Sequence, residues 1–212
     1  MNKYLLLFIL AIALFSCKKK PETILVVTPP AAASAYVYYP MKVGNYWVYT
    51  WAQGDTNNVP LGGQNVTDSV YVQKDTIING NTYFVLVDAI SSMFGGIFRD
   101  SSGYMVDVYG RIQFSTSNFT DVLKTDSIFT PSLVEVNQWK MLNDVAISTP
   151  AGNFNAIQFK GFITYCSFFP LNPKFYRASS YAKQIGLIQT HSYYQNNPDA
   201  IVNVQLIRYH VQ

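Results

Sequence analysis

Charge is scarce in this chain of 212 residues: Lys, Arg, Asp and Glu together make up 13% of it. Outside residues 1–35 the balance is even. Setting aside Lys3, Lys18, Lys19, Lys20 and Glu22 leaves 11 basic and 11 acidic residues in residues 36–212. There is no basic stripe, which argues against nucleic acid as a partner. The familiar catalytic signatures are also missing. No Gly-x-Ser-x-Gly elbow, His-Glu-x-x-His, Cys-x-x-Cys or phosphate loop occurs. No segment shows a convincing helical period with caps, so a helical fold is excluded.

The two histidines and two cysteines narrow the chemistry further. If the last two strands pair about Asn197, His210 falls opposite about Gln184. His191 then lies seven residues away, roughly 23 Å along its strand. The pair should not share a metal, and no metal or cofactor is expected. Cys166 reads as a buried small apolar residue in the strand Phe162-Ile163-Thr164-Tyr165-Cys166. Among the carboxylates, Asp100 and Asp107 flank a turn. Asp favours such places for local hydrogen bonding, so both read as structural. The expectation is therefore a protein that is not an enzyme.

What is present begins at the N-terminus. Lys3 precedes an apolar run over residues 5–15, then Ser16 and Cys17. The run is too short for a membrane span, which takes about 20 apolar residues. It reads as a secretory signal over residues 1–16. Leu14, Ser16 and Cys17 fit a lipobox, from which Phe15 departs. Cys17 is thus the predicted lipidation site, and the membrane the first predicted partner. More than one acyl chain, at about 0.8 kcal/mol per buried CH2, makes such anchoring stable. Residues 17–35 read as the lipidated Cys and a flexible tether, with Pro21, Pro29, Pro30 and a run of alanines. With Cys17 acylated, Cys166 has no partner for an intramolecular disulfide.

Residues 36–212 read as one β-rich domain. Tyr46-Trp47-Val48-Tyr49-Thr50-Trp51 places Trp47, Tyr49 and Trp51 on one strand face. Asn79-Gly80 between apolar strands is a type I′ hairpin signal. Asp100-Ser101-Ser102-Gly103, Pro150-Ala151-Gly152-Asn153 and Gln195-Asn196-Asn197-Pro198-Asp199 mark three more turns. Residues 123–135 are the least clear stretch. About ten strands joined by short turns predict an all-β antiparallel meander curled into a half-barrel or barrel, the alternative being a β-sandwich.

Tyr39-Pro40-Met41-Lys42-Val43-Gly44-Asn45-Tyr46-Trp47-Val48-Tyr49 resembles the domain opening of a group of uncharacterised Bacteroidota outer-membrane lipoproteins, Pro-Leu-x-x-Gly-Asn-x-Trp-x-Tyr. Pro150-Ala151-Gly152-Asn153-Phe154 resembles their Pro-Ala-Gly-x-Phe turn, and Tyr181-Ala182-Lys183-Gln184-Ile185-Gly186-Leu187-Ile188 their late Tyr-Ala-x-x-Ile-Gly-Leu segment. Met41 replaces the usual Leu, and Val136-Asn137-Gln138-Trp139 lacks the Gly-Asp expected before the middle Trp. The resemblance implies a cell-envelope location and brings no activity. By the same analogy Lys18-Lys19-Lys20 in place of acidic residues implies the periplasmic face of the outer membrane.

Two classes of function follow. One is a noncatalytic binding or scaffolding lipoprotein, for an apolar ligand, a lipid or a glycan. Trp47, Tyr49 and Trp51 are its candidate stacking residues, with core packing as their plain alternative. The other class is an envelope hydrolase. A subunit of an envelope protein assembly is a third reading, with no protein partner specified.

Overall fold

A computed structural model of the protein describes residues 32–55, 66–91, 94–130, 133–167, 176–194 and 197–212. The signal, Cys17 and most of the tether lie outside the described residues. Twelve strands form one antiparallel sheet. They are β1 (Tyr46–Asp55), β2 (Val66–Ile78), β3 (Asn81–Asp88), β4 (Gly96–Ser101), β5 (Tyr104–Asp107) and β6 (Ile112–Ser115), then β7 (Lys124–Thr130), β8 (Leu133–Thr149), β9 (Gly152–Cys166), β10 (Tyr176–Ala182), β11 (Gly186–Tyr194) and β12 (Asn197–His210).

The order across the sheet is β6-β5-β4-β3-β2-β1-β12-β11-β10-β9-β8-β7. Each half is a meander, and β1 pairs with β12 to join them. The sheet curls until its free edge at β6 lies against β8, β9 and β10 of the other half. The result is a nearly closed barrel, so the sandwich alternative falls. Closure at that side comes from side chains. Phe114 of β6 packs on Tyr181 of β10 with ring centroids 4.2 Å apart. The amide of Ser115 points at the sulfur of Met141 in β8, 3.4 Å away.

Local chemistry explains the turns. Asn79 and Gly80 have φ of 50° and 76°, both in the left-handed region that a type I′ turn requires. Ser102 and Gly103 repeat this between β4 and β5, with φ of 55° and 85°. There the Asp100 carboxylate accepts the Gly103 amide at 2.8 Å, as the structural reading of Asp100 expects. Asp107 likewise accepts the amides of Tyr109 and Arg111, both at 2.9 Å, and the Arg111 side chain at 2.6 Å.

Three stretches differ from expectation. The unclear stretch folds as β7 and the start of β8, paired from Lys124–Trp139 to Thr130–Leu133. β6 is only four residues long. β10, Tyr-Arg-Ala-Ser-Ser-Tyr-Ala, has little hydrophobic alternation. Residues 32–35, assigned by composition to the tether, pack on the barrel. Ala35 is fully buried, and the Ala33 carbonyl accepts the Thr116 hydroxyl. Small residues look the same in a tether and in a tight contact, so composition does not separate the two.

The core fills the end of the barrel where the chain enters β1. A short 3-10 turn, Ala35–Val37, leads into Tyr39 and Met41, both buried. Tyr39 meets Trp47 edge-on at 4.9 Å. Trp47 is wholly buried, and its indole N–H donates to the Ile185 carbonyl at 2.5 Å. Gly186 makes this possible. A Cβ there would lie 2.7 Å from the Trp47 indole nitrogen and 3.0 Å from the Tyr39 ring, at a φ of +118°. A close approach of Trp47 and Tyr39 to the backbone is thus what this glycine permits.

Candidate ligand cavity

Beyond that core the barrel interior holds a cavity of about 280 Å³. One wall comes from β4, β5 and β6 through Phe98, Met105 and Gln113, together with Phe94. The opposite wall comes from β8, β10 and β11, through Trp139, Arg177, Tyr181, Leu187 and Thr190. The cavity therefore lies between the two halves of the sheet, on the side where the edges are not hydrogen-bonded.

Phe94 is placed by a carboxylate. Asp88, the last residue of β3, accepts the amides of Ile90 at 3.0 Å, Ser91 at 2.8 Å and Phe94 at 3.0 Å, and the Ser91 hydroxyl at 2.6 Å. Buried Asp68 of β2 adds a second acceptor for the Ser91 amide at 3.1 Å. Burial opposes charge on Asp88, yet these donors hold its carboxyl well below the usual carboxylate range. The pinned loop sets the Phe94 ring 5.2 Å from Tyr49 and 6.2 Å from Trp51.

Trp139 is placed by an absence. Gly161 of β9 is its register partner, and a Cβ at Gly161 would lie 2.7 Å from the indole. The indole lies across this gap, 5.0 Å from the Phe159 ring, with the Lys124 ammonium 4.9 Å from its centroid. Lys124 is itself paired with Asp126 at 2.8 Å.

A polar corner adjoins the aromatic walls. Glu135 is fully buried, and one of its oxygens accepts the Arg177 guanidinium at 2.6 Å and the Asn137 amide at 2.7 Å. The Arg177 guanidinium carbon lies 4.6 Å from the centroid of the Tyr193 ring. Desolvation pushes Glu135 toward its neutral form, but hydrogen bonds from Tyr193, Asn137 and Arg177 outweigh it and keep the carboxyl below its usual range. Burial and the adjacent carboxylate push the Tyr193 phenol up. The corner is thus a neutral pair of opposite charges, held by a buried amide and a phenol.

His191 borders the cavity from β11, on the sheet face that its register partner Ala178 shares with Lys160. Its Nδ1 lies 2.9 Å from the Asn203 side-chain oxygen, and its ring stacks on Tyr176 at 4.2 Å. Burial lowers its pKa, the Asn203 contact opposes this, and the charge of Lys160 adds to the lowering. His210 lies elsewhere, paired with Tyr46 of β1 and stacked on it at 5.7 Å.

The stacking candidates divide. Trp47 and Tyr49 are core residues, at 0% and 1% exposure, and the Tyr49 hydroxyl donates to the Leu187 carbonyl at 2.9 Å. Trp51 is half-buried. None of the three lines the cavity; Tyr49 and Trp51 touch it through Phe94. Sequence reasoning missed Trp139, Arg177 and Glu135. The usable signal was Gly161 inside a strand, since a strand glycine often marks a close approach.

No known family model matches the chain, and no curated protein matches it. Among solved structures it is similar to a Bacteroides fragilis protein described as exported, with a YMCC-like fold. Identity is 12%, coverage is 82% of this chain and 99% of that one, and the TM-score is 0.45. A Parabacteroides distasonis protein described as a lipoprotein is similar at 15% identity over the same shares, with a TM-score of 0.43.

Proposed function

We propose that this protein is a lipid-anchored protein of the cell envelope whose barrel binds a small, mainly apolar ligand without transforming it. The observation that carries the reading is the cavity of about 280 Å³, walled by Phe94, Phe98, Met105, Trp139 and Tyr181 around one polar corner. An apolar pocket with a few placed polar groups is the common form of a small-molecule site. A glycan fits these walls less well, because each buried hydroxyl needs a partner and Phe94, Phe98, Met105 and Leu187 supply none. A general-acid role in hydrolysis is disfavoured for Glu135. A general acid must carry a proton, and the Arg177 pair holds this carboxyl ionised. The anchor rests on Cys17 and its signal, and the location on the outer membrane, facing the periplasm, rests on the lysines that follow.

Native mass spectrometry on the mature protein, released gently from detergent, tests this reading. The expected result is a discrete additional mass that disappears on denaturation. A bare monomer that also gains no mass from apolar extracts of the envelope would sink it. The scaffolding role in an envelope assembly would then take its place.

A further inference from the structure

Arg177, the cation that lines the cavity, and Lys124, behind its Trp139 wall, are both already neutralised. Arg177 is paired with Glu135 at 2.6 Å, and Lys124, over the Trp139 ring, is paired with Asp126 at 2.8 Å. Lys160 is the third cation nearby. Its register partner is Lys140, one step from the Phe159–Met141 pair, so alternation turns it to the other face of the sheet. Arg177 retains donor capacity. A guanidinium carries five N–H groups, Glu135 engages one nitrogen, and the side chain is still 19% exposed where it lines the cavity. The site thus offers hydrogen-bond donors without net charge.

Resting on the ligand-binding reading, we infer that the cavity selects an uncharged amphiphile: an apolar body against Phe98, Met105 and Trp139, and a neutral hydrogen-bond acceptor, such as an amide or ester carbonyl, on Arg177. An anionic head would lose its hydration and meet a guanidinium whose charge Glu135 already cancels. Burying an unpaired charge is costly, so the anion is rejected. A cationic head would lose its hydration too and find only N–H donors on Arg177, with no acceptor to replace its water, so it is rejected as well.

Three probes that share one chain test this: octanamide, octanoate and octylammonium. They are titrated into the chain from Lys18 onward, which retains the whole compact unit of residues 31–212, with tryptophan fluorescence and native mass spectrometry as readouts. The expected result is binding of octanamide at least about tenfold tighter than either ion, or about 1.4 kcal/mol. In Glu135→Gln the guanidinium loses its counter-charge, and the order should reverse in favour of octanoate. The wild-type comparison decides even if that variant does not fold. Octanoate binding as tightly as octanamide overturns the inference and leaves the ligand-binding reading standing. The same holds if the protein carries a copurified ligand yet takes none of the three probes. If it carries no ligand and binds no probe, both fall.

Discussion

Where β1 meets β12, every residue of β1 lies in a ladder running from Tyr46–His210 to Asp55–Ala200. At the other seam the sheet ends at β6, and Phe114, Ser115, Met141 and Tyr181 hold that edge against β8 and β10 by packing. The two seams close one barrel by different physics. A ladder fixes register, since a slip of one residue would turn every side chain to the wrong face. Side-chain packing tolerates small displacements more readily. The cavity lies beside the packed seam, between Phe98 and Met105 on one wall and Trp139 and Arg177 on the other. Under the proposed binding role, a ligand would be accommodated there without breaking backbone pairing.

The largest test of this contrast truncates one aromatic at each seam. Trp47→Ala removes a fully buried ring and its bond to Ile185. It should cost about 4 kcal/mol in urea unfolding. Phe114 is also fully buried, and Phe114→Ala should cost about 3 kcal/mol. The seams should separate in native-state hydrogen exchange. Amides of β6 should exchange by local opening, well below the global stability, while those of β1 at its ladder with β12 exchange only on global unfolding. Equal protection of both would erase the distinction.

A smaller effect sharpens the bonded side. Gly186→Ala puts a Cβ 2.7 Å from the Trp47 indole nitrogen at a φ that disfavours side chains. Overpacking of this kind costs about 2 kcal/mol. Gly161→Ala meets Trp139 at the same 2.7 Å, but Trp139 borders the cavity and has room to shift. A cost at Gly161 matching that at Gly186 would show that the cavity wall is as rigid as the core.

How far the sequence reveals this molecule follows from how local each signal is. The hairpin at Asn79-Gly80 is legible because two positive φ angles and two apolar strands lie within a few residues. The register of the last hairpin is legible too. Pairing about Asn197 puts His191 opposite Asn203, and that pair is observed. Trp47, Tyr49 and Trp51 alternate as a strand face should, and the fold buries the first two in its core. β10 was not legible, because its residues Arg177 and Ser179 line a partly polar cavity and break the apolar alternation. The cavity itself has no local signature. Its walls come from six strands on two sides of the sheet, and Glu135 and Arg177 meet across 42 residues of chain. Only the curl of the sheet brings them together.

The smallest effect tests the carboxylates that serve the cavity. Glu135 and Asp88 are both held below the usual carboxylate range by donors that outweigh desolvation. A carboxyl with a lowered folded-state pKa stabilises the fold at pH values above its unfolded pKa, about 4, and loses that contribution as pH falls through the folded value. The urea midpoint should therefore hold steady from pH 7 to about pH 5 and decline below about pH 4. Asp88→Asn should cost about 1.5 kcal/mol at pH 7, the scale of hydrogen bonds to a charged acceptor, and should flatten part of the acid decline. Because Asp88 anchors the Phe94 loop on one wall and Glu135 anchors Arg177 on the other, ligand affinity should fall in acid before the fold does. Affinity and stability that decline together would mean that the cavity and the barrel are one cooperative unit. The packed seam would then give no freedom of its own.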